Sequence, residues 1–173
     1  VDIRVRDAGD LRRLAKDLRG VADGKELRKE LTGALRTVLR PVAKQVKAAY
    51  LAGPSQGHSS RSFRSRNAPG IRASLAKATR VEVRTAGKLA GARLRVDGRK
   101  MPPRLGSIPR MYEGGGSAGR WRHPVYGPHE SEAWVQQPSR PTFYRTIEPY
   151  EDFAGRAVDG ILEGVRDKLE RSR

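Results

Sequence analysis

The sequence predicts an α+β fold, a small, mostly antiparallel sheet packed against a long helix in the N-terminal half and a second helix at the C-terminus. Three patterns predict it. Leu27, Leu31, Ala34, Leu35, Val38, Val42, Val46 and Ala49 recur at helical spacing, and Tyr150, Phe153, Ala157, Ile161, Val165 and Leu169 do so again near the end. Between them, Val81 and Val83, and then Ala92, Leu94 and Val96, alternate with charged residues at the period of a half-buried strand. Each pattern buries only one stripe or face, so helices and sheet must share a core. The length of 173 residues suits one domain over 1–173, with two long extended loops at about 53–70 and 98–118.

In chain order, Val1, Ile3 and Val5 alternate with Asp2, Arg4 and Arg6 and predict a short strand. Asp7 or Asp10 can cap a helix carrying Leu11, Leu14, Ala15 and Leu18, which Gly20 ends. Asp23 caps the long helix. Arg28, Lys29, Arg36, Arg40, Lys44 and Lys47 lie largely off its apolar stripe, and Pro41 is expected to kink or divide it by removing a backbone donor. Residues 53–70 are rich in Ser, Gly and Arg and read as a loop that orders in an assembly. Ile71 to Ala78 reads as a short helix. The following hairpin has an apolar face and an arginine-rich one, whose like charges repel unless the face meets anions. Residues 98–118 read as irregular, with Met101, Ile108, Met111 and Tyr112 exposed for docking onto a neighbour. Two strands are expected at about Trp121 to Val125 and Ala133 to Gln136, separated by a turn at Gly127 and Pro128. In the last helix, Glu151 and Asp152 near the start and Lys168 and Arg171 near the end complement its dipole.

The formal net charge is +17, unevenly placed. Residues 1–52 hold 13 Lys and Arg against 7 Asp and Glu, residues 53–125 hold 16 against 3, and residues 126–173 hold 7 against 9. A positive field concentrated mid-chain points to a polyanionic partner, nucleic acid or an acidic protein surface. The polyanion-facing set is expected to be Arg61, Arg64, Arg66, Arg99, Lys100, Arg104 and Arg110. No zinc finger, basic zipper or aromatic RNA-binding pattern occurs, so contact with nucleic acid would run through phosphates, without sequence reading.

No catalytic constellation is legible. The chain lacks a G-x-x-x-x-G-K-[ST] phosphate loop, an H-E-x-x-H pair and a G-x-S-x-G elbow. His123, His129, Glu130 and Glu132 match no established metal spacing, and Glu82, Asp97 and Glu113 are too few for a nuclease metal centre in the basic middle. We therefore expect neither enzyme activity nor a metal or cofactor. The absence of cysteine excludes disulfides, and no apolar run of eighteen residues could span a bilayer.

The aromatic stretch from Gly119 to Tyr144 carries a family resemblance. HPVYG, then WVQQPSRPTFY and a long helix, resembles the tail-component family of long-tailed double-stranded-DNA phages, also called tail-completion or minor tail protein Z-like proteins. The matching residues are His123, Pro124, Tyr126, Gly127, Gln137, Pro138, Arg140, Pro141 and Phe143; Thr142, between Pro141 and Phe143, departs from the pattern. The resemblance implies a structural virion protein of the neck or upper tail, assembled in the bacterial cytoplasm. It implies a ring, hexameric on the family's pattern, that completes the tail and joins it to the head, with neighbouring neck and tail-tube proteins as partners. Double-stranded DNA would pass through the lumen without sequence specificity, and no membrane would be involved. Trp121, His123, Tyr126, Trp134 and Phe143 are the expected structural anchors at the sheet-to-helix junction. The alternative from charge alone is a non-specific cellular nucleic-acid-binding protein.

Overall fold

The computed structural model describes residues 2–4, 8–21, 23–53, 70–85, 91–102, 105–114, 120–124 and 134–171, with the backbone alone for 2–4, 8, 10, 121–124 and 134–137. The fold is α+β. Strand β1 (Asp2–Arg4) leads into α1 (Ala8–Asp17) and the long α2 (Gly24–Ala52). Then come α3 (Ile71–Ala78), β2 (Thr79–Arg84), β3 (Gly91–Val96), α4 (Ile108–Tyr112), β4 (Arg120–Pro124), β5 (Trp134–Pro138), α5 (Thr142–Ile147) and α6 (Glu151–Arg171). The described residues cluster into two compact units. One comprises Asp2–Gln45, Arg80–Arg95 and Ile147–Arg173; the other includes Val46–Thr79 and Val96–Thr146. Each draws on separated stretches, so no single cut in the sequence divides them.

The first unit holds a three-stranded sheet in the order β1-β3-β2. β1 pairs antiparallel with β3 in the register Asp2 to Arg95, Ile3 to Leu94 and Arg4 to Arg93. The core joins Leu11, Leu14 and Leu18 of α1 to Leu27, Leu31, Leu35 and Leu39 of α2, and to Val158, Leu162, Val165 and Leu169 of α6. Ala92 lies in this core and Val81 and Val83 pack against it, so the apolar face of the sheet covers the helices. Asp23 starts α2, its carbonyl accepting from the Glu26 and Leu27 amides at 3.0 and 3.1 Å. At Gly24 a Cβ would stand 1.6 Å from the Leu18 carbonyl oxygen, so the turn between α1 and α2 requires glycine there.

Two helical expectations need correction. Pro41 lies inside α2 and does not divide it, since one helix runs from Gly24 to Ala52. The proline is exposed, while Leu39, Val42, Ala43 and Val46 around it are buried. Apolar packing before and after the missing donor holds the helix together despite the lost bond. In α6 the buried face is Ala154, Val158, Leu162, Val165 and Leu169. Phe153 is instead 59% exposed, and Tyr150, Ala157 and Ile161 are only partly covered. Two apolar stripes compete on this helix, and the buried one carries the aliphatics Val158 and Leu162 where the other offers Ala157.

The second unit holds a two-stranded antiparallel sheet, β4 with β5, in the register Trp121 to Gln137, His123 to Val135 and Pro124 to Trp134. Each strand lies within a residue or two of its expected position. α3 spans the expected residues, with Leu75 fully buried and the Thr79 hydroxyl donating to the Leu75 carbonyl at 2.8 Å. The described part of 98–118 is not the exposed docking loop expected. A 3-10 turn over Gly98–Lys100 precedes α4, and Met101, Ile108 and Tyr112 are buried, so these apolar residues are core. A Cβ on Gly98 would lie 2.3 Å from the Gly106 carbonyl oxygen, which pins this segment on itself. The other expected loop, 53–70, lies outside the described residues except at its two ends.

Candidate functional site

One residue of the run that carries the family resemblance, Phe143, is bonded through its amide to a buried carboxylate. Glu113 follows the last turn of α4 and is buried. The Tyr50 hydroxyl at the end of α2 donates to its Oε1 at 2.9 Å. The Phe143 amide, in the first turn of α5, donates to Oε1 and Oε2 at 3.0 and 2.9 Å. Phe143 itself is fully buried, and Tyr50 meets Tyr112 edge to face at 5.8 Å. The link between β5 and α5 is tied to the same place. The Ser139 hydroxyl donates to the Met111 carbonyl at 3.0 Å and the Arg140 amide to the Tyr112 carbonyl at 2.6 Å.

Electrostatics at this junction follow from burial. Loss of solvent raises the Glu113 pKa above the usual carboxylate value, and the donors from Phe143, Tyr50 and Tyr144 offset only part of that rise. Burial also pushes the Tyr50 phenol far above its ordinary value, reinforced by the charge of Glu113 beside it. No bound molecule is needed to satisfy Glu113, because its two oxygens share three protein donor contacts. The arrangement is a structural pin.

Of the expected anchors, Phe143 reaches this pin. Trp121, His123 and Trp134 lie on the paired backbone of β4 and β5, and Tyr126 lies outside the described residues. Of the expected polyanion-facing set, Arg61, Arg64, Arg66 and Arg104 fall outside the described residues. Arg99 is 74% exposed at its side chain, and its Nε lies 3.3 Å from Oδ1 of the buried Asp97. Lys100 follows it in the 3-10 turn, Arg110 sits on α4, and both are exposed.

The arginine face of the hairpin also differs from expectation. Glu82 gathers it: Arg84 lies at 2.7 Å, Arg95 at 3.2 Å and Arg93 at 3.6 Å from the carboxylate. Partial burial raises the Glu82 pKa, but the hydrogen bonds and charge of these arginines outweigh it and leave the value lowered. Mutual repulsion of the arginines is thus partly relieved within the chain, one carboxylate standing against three guanidinium groups. The alternation of charge showed which residues share the face; it could not show that one carboxylate would serve three guanidinium groups.

Sequence reasoning missed Tyr50 and the role of Glu113. Tyr50 continues the stripe of α2 four residues beyond Val46, a signal that was present. Glu113 offered none, since its partners lie 63 and 30 residues away. Among the described residues no group of His, Cys, Asp or Glu could hold a metal ion, and no helix is long and apolar enough to cross a membrane. No protein-family model, curated protein or solved structure matches the chain.

Proposed function

We propose that this chain is a structural protein of a phage virion, a ring-forming subunit of the neck or upper tail that completes the tail and surrounds the DNA channel. The reading is carried by the run from Gln137 to Phe143. It ends a strand, turns through two prolines and starts a C-terminal helix whose first turn is fixed by buried Phe143 on Glu113. That is the role the resemblance assigns to this run. The net charge of +17 adds support, since a channel subunit that lets DNA slide suits weak phosphate contacts without base reading. The same charge favours the second reading, a non-specific cellular nucleic-acid-binding protein.

Light scattering at low and high salt, with negative-stain images of the same samples, separates the two. The neck reading predicts a closed ring, or a concentration-dependent oligomer, that persists in high salt. A monomer or dimer at all concentrations that binds duplex DNA tightly at low salt and releases it at high salt would support the second reading.

A further inference from the structure

The richest unpaired positive surface among the described side chains lies on α2. At 100° per residue, Lys25, Lys29, Arg36, Arg40 and Lys44 fall within an arc of about 100°. This arc is opposite the side that carries buried Leu31, Leu35 and Val42. All five are exposed, and none forms an ion pair among the described residues. The ridge is about 28 Å long at 1.5 Å per residue. From Leu31 to Ala52 the helix contains no Asp or Glu. Glu26 and Glu30 lie only at the edge of the ridge near its start, and Glu30 is engaged by Lys168.

Lys25 with Lys29, Arg36 with Arg40, and Arg40 with Lys44 are like-charge pairs four residues apart. Each pair destabilises a free helix, and the long apolar stripe carries that penalty here. Such a row is stabilised by a polyanion running along it. Duplex DNA presents one negative charge per about 1.7 Å of axis, so it can match the ridge over its whole length. A bilayer is a poor fit, because the apolar face that would enter it is already in the core. An acidic protein partner would be expected to anchor on aromatic or apolar side chains, and these five positions supply none.

We infer that the Lys25–Lys29–Arg36–Arg40–Lys44 ridge of α2 is a phosphate-backbone contact surface for double-stranded DNA. The choice of DNA as the polyanion rests on the channel reading above. Contact there is with phosphates alone, so it carries no sequence preference and weakens steeply with salt.

The test compares the full chain with two triple variants by fluorescence anisotropy on a labelled duplex over a NaCl series. One removes the ridge charges (Arg36→Ala, Arg40→Ala, Lys44→Ala). The other removes equal charge elsewhere, from exposed positions outside both the ridge and the polyanion-facing set (Lys77→Ala, Arg145→Ala, Arg156→Ala). The ridge variant is expected to show a log K against log salt slope shallower by about 2.7, for three lost phosphate contacts. The control slope is expected to stay close to that of the parent. The ridge variant should melt at the same or a higher temperature, because alanine relieves the like-charge pairs. Equal losses in both variants, a ridge variant that binds as the parent does, or a parent that binds polyglutamate but not DNA would each overturn the inference. Light scattering on the same proteins separates this from the channel reading. A ring that ignores DNA removes the ridge assignment alone, and ridge-dependent binding by a monomer removes the ring alone.

Discussion

Glu113 joins parts of the chain that are distant in sequence, because one carboxylate can accept from a tyrosine hydroxyl and a backbone amide at once. Burial raises its pKa, so the folded chain holds a proton at this group in a pH window where the unfolded chain has released it. The stability from this group is therefore complete below the ordinary carboxylate value of 4.5 and is lost as pH rises through the raised value. Glu82, whose pKa is lowered, acts in the opposite sense and only in more acid solution. Urea unfolding between pH 4.5 and 8 should thus show stability falling with pH in the parent and a flatter profile in Glu113→Gln. An unchanged profile would remove Glu113 as the source. Tyr50→Phe deletes one donor to the buried carboxylate and should cost about 1–3 kcal/mol at neutral pH. The importance of Phe143 was legible because it stands in a recognisable run. That of Glu113 was not, because a lone acid beside a glycine run gives no local sign of a partner 63 residues back.

Among the elements, regular periodicity was the part of the sequence that spoke most clearly. α3, β2 and β3 stand where alternation and apolar spacing put them. Of the α2 stripe, Leu27, Leu31, Leu35, Val42 and Val46 are buried, while Ala34, Val38 and Ala49 are only partly covered and Leu39, Ala43 and Tyr50 join the buried face. Two failures have physical causes. Pro41 was weighed as a local breaker, but an exposed proline deletes one bond in a helix of 29 residues held by packing throughout. Pro41→Ala should therefore raise stability, by up to about 3 kcal/mol, with the helix content unchanged by circular dichroism. A loss of stability would mean that the ring packs where none is seen. In α6 the sequence offered two stripes, and periodicity alone could not choose between them. Leu162→Ala should cost about 2–5 kcal/mol, whereas Phe153→Ser should stay within about 0.5 kcal/mol. Chemical denaturation of the two variants checks the assignment, and the reverse order would restore the other face. In the described part of 98–114, glycine and proline resemble a loop, while Met101, Ile108 and Tyr112 are buried instead of exposed for docking.

For the whole molecule, the asymmetry of charge was legible from composition, but its placement was not. The mid-chain excess drew attention to loop arginines, and the hairpin arginines prove to be gathered by Glu82. The exposed row on α2 comes from a segment with a more ordinary balance, and it emerges only when the helix aligns residues of one sign. Such a row is the surface on which the proposed contact with DNA rests. The most direct test of the proposed neck role is made on phage virions purified from a bacterial culture that carries the coding sequence of this chain. Peptide mass spectrometry and immunogold labelling of the same preparation would locate the protein. The account predicts peptides from this chain in intact virions and gold at the junction of head and tail. Virions without the chain, with the protein recovered on host DNA, would contradict it.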